Sequence, residues 1–359
     1  MKKLVILLTF LTSACVQQEI VDELLLIHAT GIDYVDELNF RATVSVPIYK
    51  GDNGNNSGEG VTSETITAVG RTAKNIRAEM DSKSPKLINN SKLAVVLFNN
   101  EMAKKGIIEQ GDTFYRDPLV GQRLYLGVFE GSTNQLLENQ PSLQPEISKY
   151  LSELIEQNIN NHNIPKSNMH VFVYRLYQEG METYLPYLKK VNDQVQVTGV
   201  AIFKNDKMVS ALSLEESIIF KMLIENFQGG TYEVALPDKE FASIRNLSAQ
   251  SSYQVEMRKG MPEITLNLRT KGYVNEYSGI PLDQKKINEI NHLLEEELTV
   301  EISKLIKKFQ DLETDPVGLG FQVKTRTRGW DEQKWTDQYP NVKVHVNVDT
   351  IITHGGVSD

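Results

Sequence analysis

Residues 1–359 read as an α+β protein in which several small mixed or antiparallel sheets pack with helices. Three observations predict this. Alternating strand patterns and short capped helices follow one another irregularly through most of the chain. A long helix near the end carries a single apolar stripe, Ile287, Ile290, Leu294, Leu298, Ile302, Leu305 and Phe309. The chain then closes on an alternating strand over Val342–Ile352.

In order, Leu24–Ile27 with Ile32, and Phe40–Val46, look like two strands joined by a turn at Asp33–Asn39. Gly51–Gly60 is a low-complexity solvated loop; no Gly-Lys-Ser/Thr follows to make it a phosphate cradle. Thr62–Val69 alternates as a strand, and Thr72 can cap a helix over Ala73–Met80. Lys92–Phe98 is a buried-strand pattern, with Asn100 capping a short helix that stops at Gly106. Arg123–Phe129 is another strand, and Ser132–Gln135 forms a capping box that opens a helix toward Glu138. Pro145 suits a first helical position, followed at helical spacing by Ile147, Leu151, Leu154, Ile155 and Ile159. Met169–Tyr177 fits a strand or a helix equally well.

Thr198–Phe203 and Lys207–Ser213 flank Asn205-Asp206 as a hairpin. A second capping box at Ser213–Glu216 opens a helix that ends before Gly229-Gly230, and alternating stretches follow from Thr231 to Val274. Asp283 caps the long helix, whose acidic first half and basic last turns suit the helix dipole. Gly318-Leu319-Gly320 reads as a helix-exit turn behind Pro316.

Composition narrows the function. Hydrophobic residues are 40% and charged residues 24%, which is ordinary for a folded chain of about two or three domains. The net charge of −9 becomes −11 if Lys2 and Lys3 leave with the first fourteen residues. An acidic chain with scattered cations is a poor nucleic-acid binder and gains nothing from an anionic membrane surface. Any membrane attachment must therefore come from lipid.

The N-terminus suggests how. Lys2 and Lys3 precede the apolar run Leu4–Leu11, which is too short to span a bilayer and reads as a signal peptide. Thr12-Ser13-Ala14 then lead to Cys15, the single cysteine of the chain. A lipoprotein signal needs a cysteine at that place, since its thiol accepts the diacylglyceryl group. Cys15 is the expected lipidation site, with Thr12 standing where such signals usually carry Leu. The expected organisation is a signal peptide over 1–14 and a lipidated tether over 15–22. An N-terminal region over 23–195, divided near 135, and a C-terminal region over 196–359 follow.

No catalytic constellation emerges. The histidines at 28, 162, 170, 292, 345 and 354 lack metal-ligand spacing, and no Gly-x-Ser-x-Gly elbow exists. Trp330-Asp331 is not repeated as a propeller would require. The sequence predicts no cofactor, no metal and no enzyme.

Several motifs in order resemble one family, the C-subunit lipoproteins of spore germinant receptors, Ger(x)C. They are Glu19-Ile20 behind Cys15 and Gly31-Ile32-Asp33; Ser84-Pro85 with Lys92–Phe98 and Arg116-Asp117-Pro118; and Gly199–Phe203. The long helix then runs into Asp315-Pro316 with Gly318 and Gly320, and Tyr339-Pro340 leads into Val342–Val346. Val16-Gln17 replaces the family's usual Trp-Asp after the cysteine. The resemblance implies three compact lobes and a complex with two integral membrane subunits, A- and B-type, in the spore inner membrane. It also implies a nutrient response, with the small molecule contacted by the membrane subunits, and no catalytic residues. The alternative is an extracytoplasmic solute-binding lipoprotein of a transporter, disfavoured by the hairpin-like strands; a wall hydrolase lacks any motif.

Overall fold

The computed structural model describes residues 23–49, 61–139, 146–280 and 282–354. The expected signal peptide, Cys15, the Gly51–Gly60 loop and Pro145 lie outside the described residues. The architecture is mixed α+β, built on an eight-stranded, a four-stranded and a two-stranded sheet.

The first apolar stretch divides in two. β1 (Leu24–Leu26) pairs in parallel with β5 (Leu87–Asn89), whereas β2 (Ala29–Tyr34) forms an antiparallel hairpin with β3 (Phe40–Tyr49). Asp36 holds the turn, its Oδ1 accepting the N–H of Leu38 at 2.8 Å and of Asn39 at 2.9 Å. β4 (Val61–Gly70) extends the hairpin, and α1 (Ala73–Lys83) follows, capped as expected by Thr72, which accepts the Asn75 N–H at 3.2 Å.

β6 (Val95–Asn99) is wholly buried. The cap of α2 (Asn100–Lys105) is Asn99 rather than Asn100. Asn99 Oδ1 accepts from Met102 N–H at 2.8 Å and also from Tyr34 N–H at 3.0 Å, so this residue closes a strand and opens a helix together. α3 (Ile108–Tyr115) escaped the sequence reading because Gly111, Asp112 and Thr113 are weak helix formers. β7 (Tyr125–Glu130), α4 (Thr133–Glu138) and α5 (Ile147–Asn160) come next.

The ambiguous stretch is helical, α6 (Met169–Tyr177). Asn168 caps it by accepting the Val171 N–H at 2.9 Å, and Met169, Phe172 and Arg175 bury one face. Local capping and tertiary burial together override the strand propensity of its β-branched and aromatic residues.

β8 (Tyr184–Val191), β9 (Gln194–Lys204) and β10 (Lys207–Ser213) complete the large sheet in the order β10-β9-β8-β7-β6-β2-β3-β4. Its middle strands run parallel and its flanks antiparallel. One face, with Ile32, Phe40, Ala42 and Val44, meets Ile76, Met80, Met102 and Phe172. The other, with Ala29, Val95 and Leu97, meets Leu137, Ile147, Leu151 and Ile155 and continues into the C-terminal core.

α7 (Leu214–Ile224) starts with a complete Ser213–Glu216 capping box. Ile219, Phe220, Met222 and Leu223 are buried around it because it lies between the large sheet and the second one. That second sheet has the order β11 (Phe227–Ala235), β12 (Phe241–Arg258), β13 (Met261–Tyr277), β14 (Lys343–His354). β12 and β13 form one long hairpin turning at Lys259-Gly260, both with positive φ, as a tight hairpin turn requires. β14 runs parallel to β13, so the chain must cross over between them. The crossover is α8 (Gln284–Asp311), capped by Asp283, with all seven stripe residues buried against the sheet, followed by α9 (Leu319–Arg326) and α10 (Glu332–Gln338).

Candidate functional site

A largely buried polar cluster joins α6 and β8 to the segment after α8. Three side chains build it: Arg175, Glu182 and Asp315. Arg175 is buried on α6 because the sheet covers that face, and its guanidinium lies 4.9 Å from the Tyr184 ring centroid. Its Nε donates to the Glu182 carbonyl at 3.0 Å, and its other arm donates to the Pro316 carbonyl. The Glu182 carboxylate accepts the Asn205 N–H at 2.7 Å, while the Glu182 N–H donates to the Asp315 carbonyl at 2.9 Å.

Asp315 is the keystone. Its carboxylate accepts the N–H groups of Gly318 at 2.9 Å, Leu319 at 2.9 Å and Gly320 at 2.7 Å. The Gly318–Gly320 turn therefore opens α9 instead of merely leaving a helix, which corrects the sequence reading. Gly318 takes a left-handed φ of 80° that a side chain disfavours. Gly320 is required by close approach: a Cβ there would lie 2.4 Å from Trp335 Nε1 and 2.9 Å from Gly180 Cα. The Phe321 N–H donates to the Gly180 carbonyl at 2.8 Å, so backbone meets backbone across the joint. At the rim, Glu179 receives Lys324 Nζ at 2.9 Å and Trp330 Nε1 at 2.8 Å, and Thr314 donates to the Phe203 carbonyl at 2.6 Å.

Two carboxyls in this joint titrate near neutrality. Burial pushes Glu182 up to about 7, against the pull of the Asn205 N–H and with a push from the Asp315 charge; Lys204 and Arg175 pull it down. Burial pushes Asp315 up to about 6, although the N–H groups of Gly320, Leu319 and Gly318 and the Arg175 charge oppose it. Each group holds its proton more tightly folded than unfolded. The joint is therefore most stable below the ordinary carboxylate range of ~4 and loses stability as pH rises through the raised values. The urea midpoint should decline between about pH 4 and 7, and Glu182→Gln should flatten much of that decline. His162, whose pKa burial lowers, contributes the opposite slope and remains in both proteins. An unchanged slope in the variant would remove Glu182 as the cause.

Of the sequence-predicted site residues, Cys15 lies outside the described residues. The histidines are scattered: His28 contacts Glu146 at 2.7 Å, His345 contacts Glu263 at 2.6 Å, and His162 stacks on Phe227 at 4.9 Å. Among the described residues no group of three or more His, Cys, Asp or Glu is placed to hold a metal ion. Among them, too, no helix is long and apolar enough to cross a membrane.

The joint lies between two segments that match family models. Residues 17–190 match the spore germination protein N-terminal domain, and residues 198–356 match the spore germination B3/GerAC-like C-terminal domain. The chain belongs to the spore germination GerAC family. Its relatives include spore germination protein GerQC of Bacillus cereus, 31% identical over 99% of each chain. The putative spore germination protein YfkR of Bacillus subtilis (strain 168) is 23% identical over 98% of this chain and 95% of that one. A crystal structure of the GerBC protein shares the fold, with a TM-score of 0.61 at 17% identity, covering 90% of this chain and 96% of the other. The likeness drawn from the motifs is thus one of membership, and the family is that of the C subunits of spore germinant receptors.

Several of the motif residues that carried the likeness prove to be joints of the fold. Gly31 lies under α4, where a Cβ would approach Thr133 Oγ1 to 2.5 Å. Asp33, buried on β2, accepts the N–H of Thr133 at 2.7 Å and of Asn134 at 2.9 Å, holding that helix from a distant strand. A Cβ on Gly199 would collide with the Leu212 carbonyl oxygen at 1.9 Å, where β9 is pinched between its neighbours. Asp117 accepts from the Asn90 amide at 2.6 Å, and the Tyr339 carbonyl accepts from Gln310 at 3.0 Å. Sequence reasoning missed Arg175 and Glu182. Arg175 reaches the Pro316 carbonyl and the Glu182 backbone N–H reaches the Asp315 carbonyl, each more than 130 residues away, and no local pattern records such a contact.

Proposed function

We propose that the chain is the lipid-anchored, non-catalytic C subunit of a nutrient germinant receptor, held by Cys15 on the extracytoplasmic face of the spore inner membrane. There it assembles with two integral membrane subunits of A- and B-type, and the nutrient is contacted chiefly by those subunits. The observation that carries this is the end-to-end family match over residues 17–356, preceded by a short apolar run that leads into the single cysteine. The chemistry of the joint supports a structural part: its charged groups are spent on backbone N–H and carbonyl groups. A solute-binding lipoprotein has no observation in its favour.

The test is affinity isolation of the tagged full chain from solubilised spore membranes. Two polytopic membrane proteins should copurify in amounts comparable to the bait. Recovery of the chain alone, or with an ATP-binding transport cassette, would remove the receptor assembly from the proposal.

A further inference from the structure

β14 is an edge of the four-stranded sheet, and part of that edge is left open. It pairs with β13 in parallel over its whole length, without a bulge. In such a ladder alternate residues turn their N–H and C=O groups to the neighbour, and the rest turn them away. Thr350 and Ile352 are of the second kind. The Thr350 N–H donates to Glu295 Oε1 at 3.0 Å and the Ile352 N–H to Asn291 Oδ1 at 3.0 Å, so two side chains of α8 close the edge there. By the same alternation Val344, Val346 and Val348 face outward, and their N–H groups meet no acceptor among the described residues. Their side chains are only partly buried against the core. An unbroken open edge of this kind is a template for another strand.

The open stretch is complementary to itself. Set antiparallel against a second copy about Val346, it places Val346 opposite Val346, Val344 opposite Val348, His345 opposite Asn347, and Lys343 opposite Asp349. The valines are the residues whose backbone groups face out, so each such pair would exchange N–H and C=O across the join. The exposed face then gains an ion pair at each end. Both charges are available for it. Lys343 is exposed, and Glu263, its neighbour in register on β13, is already engaged by His345 at 2.6 Å and Arg258 at 2.9 Å. Asp349 spends one carboxylate oxygen on Arg269 at 3.1 Å, and its other oxygen has no hydrogen-bond partner among the described residues. The pairing also stops where the capping begins. Beyond Asp349 come Thr350 and Ile352, which Glu295 and Asn291 already hold, and opposite that point the second copy's strand starts at Lys343.

We propose that β14 pairs with β14 of a second copy of this chain, antiparallel and centred on Val346, so that the two four-stranded sheets join into one. The join is short, which makes it a weak contact in dilute solution and an effective one wherever copies are held close together. Its chemistry needs neither the anchor nor the membrane subunits. Its failure would therefore leave the assembly role untouched, and the reverse also holds.

The test is sedimentation velocity of the purified full chain, under reducing conditions so that Cys15 cannot link two copies. The native chain should dimerise with a Kd on the order of 10–100 µM, as suits a small interface. Lys343→Asp sets two carboxylates against each other at both ends of the join, and Asp349→Lys sets two ammonium groups there. Each variant alone should weaken the dimer about tenfold. Mixed in equal amounts, the two should recover an affinity close to the native one, because opposite charges then meet at both ends. Val346→Pro should abolish the dimer and leave the fold intact, since the N–H it removes faces out of the sheet. A native chain that stays monomeric well above that concentration range would overturn the proposal. So would a dimer indifferent to Lys343→Asp or to Val346→Pro, or a mixture that fails to recover. A monomeric native chain whose Val346→Pro variant loses its membrane partners would overturn it too, and would assign the edge to a strand from one of them.

Discussion

If the proposed anchor holds, Cys15→Ala should leave the protein in the soluble fraction or as an uncleaved precursor. The expected size of the effect follows from burial. Each methylene placed in the bilayer contributes ~0.8 kcal/mol, one chain holds only marginally, and the two chains of a diacylglyceryl group hold stably. The rest of the chain offers little in compensation. Its net charge is −9, and among the described residues no helix is long and apolar enough to cross a membrane. Germination in response to nutrient should fall with attachment, because anchoring keeps the subunit at high effective concentration beside its membrane partners. The deciding measurement is the mass of the mature N-terminus. An unmodified Cys15 on protein that still sediments with membranes would end the anchor proposal.

Asp315→Ala should be among the most destabilising single substitutions in the described fold. It removes the acceptor for three buried N–H groups, those of Gly318, Leu319 and Gly320, at the start of α9. Loss of a helix cap costs about 1 kcal/mol, and each buried donor left unpaired adds to that, so a total of about 3 kcal/mol is expected. Asp315→Asn keeps one carbonyl oxygen, enough for two of the three donors, and should cost about 1 kcal/mol. The urea midpoint of each variant measures the difference. Equal midpoints for Asp315→Ala and the native chain would show that water satisfies the turn and that the joint is not structural. Limited proteolysis should report the same change locally, with cleavage appearing between α8 and α9 in the alanine variant.

Much of this organisation is legible in the sequence. Thr72, Ser132, Ser213 and Asp283 were readable as caps because a cap needs only a side-chain oxygen and an N–H three residues on. The stripe of α8 was readable because burial of one helix face writes itself at helical spacing. Misreadings came where two partners compete for one residue. Asn99 was passed over in favour of Asn100 because its second role, accepting from Tyr34 on a neighbouring strand, is invisible locally. Gly318-Leu319-Gly320 looked like an exit because its capping acceptor, Asp315, sits before Pro316 rather than at the usual cap position.

The sequence by itself determined the fold class, the elements set by strong periodicity or capping, and, through ordered motifs, the family. These are properties of near neighbours along the chain, where spacing and side-chain chemistry suffice. Tertiary structure decided that Met169–Tyr177, capped locally by Asn168, is a helix, that the strands from residue 29 to residue 213 other than β5 share one eight-stranded sheet, and that Arg175, Glu182 and Asp315 meet. The reason is the same in each case. Burial and hydrogen-bond pairing between distant segments supply the deciding free energy, and that energy is written in contacts, not in the order of residues.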